Sequence, residues 1–129
     1  MAIYYNGHLQ STKGGGGSSG GGIDYSTIEQ NTGLKWVDGK PIYQRTFNVS
    51  ANVSIDITSL NIDSIVDISG TFETASHGIY SVNMYALSAY YSRVSLTRTS
   101  LLLEIHGDND WLASTGNITI LYTKTTDTV

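Results

Sequence analysis

The side chains of this 129-residue chain that could do acid–base or metal chemistry are eleven carboxylates and three histidines. The histidines are widely spaced, at positions 8, 77 and 106, and no Gly-x-Ser-x-Gly string places a nucleophilic serine. Cysteine is absent, which excludes disulfides, thiolate metal sites and cysteine nucleophiles. A hydrolase needs a nucleophile, a base and an orienting group within reach of one another. The sequence therefore predicts a protein that is not an enzyme and uses no cofactor.

The densest acidic cluster is Asp108-Asn109-Asp110, directly after Gly107. Carboxylate oxygens suit calcium, but the spacing lacks the twelve-residue pattern of a calcium loop. A zinc site with His106 would need a second histidine or a cysteine nearby. Glycine, aspartate and asparagine in this order are typical of a hairpin tip, so we expect an ordinary turn without metal.

Aromatic residues supply the better candidates for ligand contact. The chain has two tryptophans and nine tyrosines, and such rings combine an apolar body with a polar group that suits binding surfaces. Trp111 follows the acidic tip, where we expect it to be exposed, and Tyr90-Tyr91 is the next candidate. The predicted ligand contacts are therefore Trp111, Asp108, Asp110, Tyr90 and Tyr91.

The elements that must position these residues are strands. Thr, Ser, Val, Ile and Tyr dominate the composition, and short alternating segments recur at turn-sized spacing. We expect strands near residues 34–37, 40–47, 52–57, 64–73, 79–87, 92–97, 100–106 and 116–123. Asp38-Gly39 predicts a type I′ hairpin turn, and residues 61–63 a brief helical turn. The predicted fold is an all-β, antiparallel sandwich, jelly-roll-like, with a short N-terminal hairpin or arm and a glycine-rich tether.

Three zones follow one another along the chain. In residues 1–13, Asn6-Gly7 predicts a hairpin, and the apolar side chains around it are too few to form a core. They are the candidate anchor residues: Ile3, Tyr4, Tyr5 and Leu9. Residues 14–22 read GGGGSSGGG, which predicts a flexible tether, with an engineered linker as the alternative. Residues 23–129 are predicted to form the displayed domain. For residues 1–13, the alternative to a hairpin is a flexible terminus.

Charge and hydropathy exclude several classes of partner. The net charge of −4 argues against a nucleic-acid-binding protein, which normally carries a basic face. No window is apolar enough to span a membrane. The opening MAIYYNGHLQ lacks the basic and apolar regions of a secretory signal.

Two strings carry a resemblance to a known family. The first reads YST-x-EQ from Tyr25 and TG-x-x-WVDGKPIY from Thr32, and the second reads ITI-x-YTKTTD from Ile118. Together they resemble a module found at the C-terminal ends of bacteriophage tail-fibre and minor structural proteins. The resemblance covers residues 25–127 and brings no catalytic or cofactor residues. It implies a β-rich virion structural protein, a homo-oligomer and most readily a trimer.

The expected function is that of a displayed fibre or tail module on the virion. Its partners would be other virion proteins, through residues 1–13, and a host surface glycan or protein. The resembling module usually ends a long fibre, whereas a short head and a glycine-rich segment precede it here. A head fibre or capsid decoration protein is therefore one alternative. A free carbohydrate-binding module or a small glycan-cleaving enzyme is an alternative from another class.

Overall fold

The computed structural model describes residues 2–5, 8–11, 24–76 and 78–128, the first two ranges by their backbone only. Strands make up 60% of the structure and helices 7%, which confirms the all-β prediction. The strands are β1 (Ala2–Tyr5), β2 (His8–Ser11), β3 (Gln30–Lys35), β4 (Pro41–Ser50), β5 (Ser54–Asp56), β6 (Ile62–Glu73), β7 (Ile79–Ser81), β8 (Met84–Leu87), β9 (Tyr90–Leu96), β10 (Ser100–His106) and β11 (Thr115–Lys124). A 3₁₀ turn covers Thr58–Leu60, and α1 covers Asn109–Leu112.

Two antiparallel sheets pack together as a sandwich, as predicted. One has four strands in the order β5-β10-β9-β8, and the other has five in the order β3-β4-β11-β6-β7. Strand β11 lies between β4 and β6, and it pairs with each over most of its length. The centre of the five-stranded sheet is therefore formed by the last strand of the described chain.

The predicted N-terminal hairpin is present as the pair β1–β2, with Tyr5 opposite His8. Asn6 and Gly7 lie outside the described residues, as do residues 14–22 and His77. The anchor residues Ile3 and Tyr4 lie on β1 with Tyr5, and Leu9 lies on β2. Their predicted anchoring role stays a prediction.

The core lies between the inner faces of the two sheets. Alternate residues of β11 point inward, and Ile118, Ile120 and Tyr122 are fully buried there. Leu101, Leu103 and Ile105 of β10 face them from the other sheet. Burying each such side chain contributes about 1.5–3 kcal/mol, so the alternation that predicted strands also supplies much of the stability.

The hairpin between β3 and β4 differs from the prediction in its turn type. The Gly39 N–H donates to the Trp36 carbonyl at 2.9 Å, and the Trp36 N–H donates to the Lys40 carbonyl at 2.9 Å. Only Gly39 of the loop has a positive φ, of 88°. A type I′ turn needs positive φ at both central residues, and Asp38 does not adopt it. The connection is a three-residue loop closed by a left-handed glycine.

Further boundaries differ from the sequence prediction. The strand expected over residues 34–37 lies earlier, as β3 (Gln30–Lys35), and leaves Trp36 and Val37 in the loop region. The strand expected over residues 52–57 shortens to β5, and Val53 is exposed. The helical turn comes earlier, at Thr58–Leu60, and Asn61 ends it with a left-handed φ of 55°. The strand expected over residues 79–87 splits into β7 and β8 because the chain crosses from the five-stranded to the four-stranded sheet at Val82.

Candidate functional site

A row of three rings lies on the outer face of the four-stranded sheet. Tyr85 on β8 is the register partner of Tyr91 on β9, and Tyr91 is the partner of His106 on β10. The Tyr91 and His106 rings stack with centroids 4.3 Å apart, and those of Tyr85 and Tyr91 are 6.4 Å apart. Directly opposed side chains on neighbouring strands meet in this way, so the register alone builds the row.

Exposure is uneven along this ring row. Tyr91 and His106 cover each other's faces, whereas Tyr85 is 73% exposed and lies on the edge strand of its sheet. Tyr85 is therefore the ring with the most open surface for a ligand. The tyrosine hydroxyls and the imidazole nitrogens add hydrogen-bonding groups along the same row.

A charged pair forms the next rung of the same face. The Arg93 Nε and Nη2 atoms donate to the two carboxylate oxygens of Glu104 at 2.9 and 3.1 Å. The Arg93 guanidinium lowers the pKa of Glu104, and His106, whose Nε2 lies 3.4 Å from the carboxylate, acts in the same direction. The surface thus joins aromatic rings to a fixed, planar pair of donor and acceptor groups.

Trp111 does not have the exposed position predicted for it. Its ring stacks on Tyr80 at 5.2 Å, meets the edge of Tyr90 at 5.5 Å and lies 6.0 Å from Phe72. It is half-buried and packs against the core. The prediction of an exposed Trp111 is wrong because these three rings cover it.

Tyr90 and Tyr91 are separated by the alternation of the strand. Tyr90 contacts Trp111, whereas Tyr91 belongs to the ring row on the outer face. Successive side chains of a strand point to opposite faces, so these neighbours cannot share one surface. The predicted contact set is therefore split between two places.

The acidic tip is a helix start rather than a hairpin turn. The Asp108 carboxylate accepts from the backbone N–H groups of Asp110, at 3.0 Å, and Trp111, at 3.3 Å, and so caps α1. The Asp110 carboxylate accepts from the Ser76 hydroxyl at 2.7 Å. Aspartate favours this capping position because its oxygen satisfies free N–H groups of the first turn. These bonds give both carboxylates a structural use.

The two strings of the resemblance meet at one end of the sandwich. The Lys124 ammonium lies 2.7 Å from Glu29 Oε1, and the Tyr122 hydroxyl also donates to the Glu29 carboxylate. The Lys124 ammonium sits 5.0 Å from the centroid of the Tyr43 ring. Burial and then the Glu29 carboxylate raise the pKa of Tyr122, which keeps its proton as the donor. We call Glu29, Tyr43, Tyr122 and Lys124 the terminal lock.

A second ion pair extends this end of the molecule. The Lys40 ammonium lies 2.8 Å from the Asp63 carboxylate and donates to the Lys124 carbonyl at 3.4 Å. The Lys40 hydrogen bond is the main cause of a lowered pKa at Asp63. The Arg98 guanidinium donates to the Asp63 carbonyl at 2.8 Å. Lys40 and Lys124, which belong to the two strings of the resemblance, thus connect segments that are distant in the sequence.

Sequence reasoning missed Tyr85, Arg93, Glu104 and His106 as one surface. They come from three strands, and only the register between those strands brings them together. The available signal was the alternation within β9 and β10, which places Tyr91 with Arg93 and Glu104 with His106 on one face of each strand.

Within residues 24–76 and 78–128, no three histidine, aspartate or glutamate side chains are grouped so as to hold a metal ion. No helix in the described part of the chain has the length and apolarity needed to cross a membrane. Comparison with family models, with curated proteins and with solved structures finds no match for this chain.

Proposed function

We propose that this protein is a non-enzymatic structural module of a bacteriophage particle, which displays its sandwich domain toward the host surface. The ring row of Tyr85, Tyr91 and His106 carries the proposal. Its rings and the adjacent Arg93–Glu104 pair form a solvent-facing surface with both apolar and hydrogen-bonding groups. Such a combination suits contact with a glycan or a protein loop.

The two outer faces of the sandwich differ in a way that supports this orientation. Residues 24–29 lead into the domain on the side of the five-stranded sheet, where Tyr25 lies beside Thr46 and Thr119 on its outer face. The Ser26 carbonyl accepts from the Thr46 N–H at 2.8 Å. The ring row lies on the outer face of the opposite sheet. A domain held through residues 14–22 would therefore turn its ring row away from the particle.

The terminal lock supports the same proposal. A tethered domain on a particle is pulled where the tether joins it, just before Asp24. Glu29 fastens this entry segment to the buried Tyr122 and to Lys124 of β11, the central strand. A charge-assisted, partly buried lock at this point resists peeling of the entry segment from the sheet.

Attachment to the particle is assigned to the β1–β2 hairpin. A two-stranded hairpin is marginal alone and has unpaired strand edges, so it can add to the edge of a partner sheet. Self-association as a trimer belongs to the same proposal and rests on the family resemblance. Sedimentation or light scattering at micromolar concentration tests it, and a stable monomer would contradict it.

The location on the particle is tested with purified virions and gold-labelled antibodies against residues 24–128. Labelling of the tail supports a tail or fibre module, whereas labelling over the capsid supports the head-fibre or decoration alternative. Absence of the protein from washed virions contradicts the whole proposal. Deleting residues 1–13 should abolish incorporation, and normal incorporation would assign attachment to the domain.

Host contact is tested by binding of the labelled full chain to host cells. Tyr85→Ala removes the most exposed ring and should weaken binding about tenfold, since a stacked ring contributes on the order of 1–1.5 kcal/mol. Tyr25→Ala is the matched control because Tyr25 is an exposed tyrosine on the outer face of the other sheet. Equal binding by both variants would contradict the assignment of the ring row. Release of sugar from host glycans by the wild-type protein would favour the enzyme alternative.

A further inference from the structure

A pocket of about 330 Å³ opens between the two sheets on the side where β4 approaches β5. Arg45 and Phe47 of β4 form one wall, and Ile55 of β5 forms the other with the residues around the 3₁₀ turn. This volume lies at the lower end of the range for small-molecule sites and leaves room for a single sugar ring. The ring row is not part of it.

Arg45 is an unusual residue on the inner face of the five-stranded sheet. Its register partner on β11 is the buried Ile120, and its guanidinium lies 4.7 Å from the centroid of the Phe47 ring. The Nε atom is buried without a hydrogen-bond partner. No carboxylate of the described residues lies within ion-pair distance of it. A half-buried guanidinium without an anion is unfavourable unless a ligand supplies one.

We propose that this pocket binds the carboxylate of an acidic sugar. The planar fork of a guanidinium matches the two oxygens of a carboxylate with parallel hydrogen bonds. The hydroxyls of Thr27 and Ser59 and the amide of Asn48 line the same pocket and can bond sugar hydroxyls. Ile55 and Leu60 offer apolar surface to the C–H face of the ring. A simple carboxylate would leave this polar lining unused.

The charge of Asp56 affects whether the pocket binds a carboxylate or a phosphate ligand. It lines the pocket, and its Oδ1 atom accepts from the Thr58 N–H at 2.9 Å and from the Thr58 hydroxyl at 2.7 Å. Its negative charge opposes an incoming anion, and the opposition grows with the charge of that anion. The attraction to Arg45 grows with that charge in the same way, so the two groups nearly offset each other. The larger cost of desolvating a dianion then favours a ligand with a single negative charge over a dianionic phosphate.

The test uses the full chain and four probes: D-glucuronate, D-glucose, acetate and D-glucose 6-phosphate. Binding is followed by nuclear magnetic resonance shifts of backbone amides. D-Glucuronate should move the signals of Thr27, Asn48 and Ser59, and D-glucose and acetate should each bind at least about tenfold more weakly. That factor corresponds to one charge-assisted contact or to the sugar hydroxyl contacts.

Three variants locate the site. Arg45→Met keeps most of the packing and removes the charge, so the affinity for D-glucuronate should fall at least about tenfold. Arg45→Lys keeps the charge without the fork and should also bind more weakly, which covers the case in which Arg45→Met does not fold. Asp56→Asn should strengthen binding severalfold because the opposing charge is gone. Arg93→Met is the control, since Arg93 is an arginine on the outer face paired with Glu104.

The outcomes separate the parts of the proposal. D-Glucuronate binding that depends on Arg45 and not on Arg93 supports it. No shifts with D-glucuronate at tens of millimolar, or equal loss in the Arg93 variant, overturns the site. Acetate binding as tightly as D-glucuronate overturns the sugar, and tighter binding of D-glucose 6-phosphate overturns the carboxylate. None of these outcomes depends on the location of the protein on the particle or on the ring row.

Discussion

Removing one hydroxyl from the terminal lock should measurably destabilise the domain. Tyr122 is fully buried, and its hydroxyl donates to the Glu29 carboxylate. Tyr122→Phe keeps the ring that packs in the core and deletes only this donor. The Glu29 carboxylate keeps Lys124 at 2.7 Å, so no buried charge is left without a partner. The variant therefore isolates one charge-assisted hydrogen bond.

The expected loss follows from the type of bond. A hydrogen bond to a charged group contributes about 1.5–3 kcal/mol, and the Glu29 side chain is only 26% exposed, so solvent screens the bond little. A domain of this size loses about 4 °C of melting temperature for each kcal/mol. Tyr122→Phe should therefore unfold roughly 6–12 °C below the wild type.

The assay is urea unfolding of four proteins: the wild type, Tyr122→Phe, Glu29→Gln and the double variant. If the two groups are bonded, the double variant loses less than the sum of the single losses, with a coupling energy of at least about 1 kcal/mol. The urea dependence should stay constant across the set. The exposed Tyr85→Phe serves as the control, with a change below about 0.5 kcal/mol. A coupling energy below about 0.5 kcal/mol would refute the bond.

Four further outcomes are expected. The raised pKa of Tyr122 in the folded state means that its contribution is complete below about pH 10 and is lost as the pH rises, so Tyr122→Phe should flatten the alkaline fall in the urea midpoint. The pKa of Asp63 is lowered, so its contribution is present above its ordinary value of 3.8 and is lost as the pH falls; Lys40→Met should return that pKa upward in a carboxyl resonance titration. Gly70→Ala should cost about 3 kcal/mol or more in calorimetry, because φ is 153° and a Cβ would lie 2.1 Å from a carbonyl oxygen of β11. Asp108→Ala should cost about 1 kcal/mol and shift the indole fluorescence, whereas Asp108→Asn, which also caps well, should change neither.

The strands and the sandwich could be predicted because their signal is local. Ile118, Ile120 and Tyr122 recur at every second position of β11, and a period of two specifies a strand. The sequence did not show that the positions between them are buried as well. The hairpin at Gly39 was also readable, but its turn type was not. Asp-Gly fits both a two-residue loop and the longer loop that forms here, and the pairing of the flanking strands decides between them.

The candidate site could not be predicted because its parts are distant in sequence. Tyr85, Tyr91 and His106 meet only through the register of three strands, which no local pattern specifies. The position of Trp111 on a helix could have been predicted from Asp108, since an aspartate before a short polar and apolar run is a helix-capping pattern. The sequence Asp108-Asn109-Asp110 is equally typical of a turn. The helix is favoured because it allows Trp111 to pack against Tyr80.

The central place of β11 has a consequence for the order in which the domain can fold. Its contacts are distant in sequence: the Thr119 hydroxyl, for example, bonds that of Thr46, 73 residues away, at 2.7 Å. Before residues 115–124 leave the ribosome, β4 and β6 have no partner between them. Chains rich in such distant pairings fold in roughly milliseconds to seconds, which is slow for their size.

During that interval, the facing edges of β4 and β6 are open to strands of other nascent copies. Unpaired edges of this kind promote misassociation, and the risk grows where many copies are made at once. A chain interrupted before β11 should therefore aggregate rather than persist as a soluble fragment. The edges of β4 and β6 are covered only after β11 has been translated and has paired with both strands.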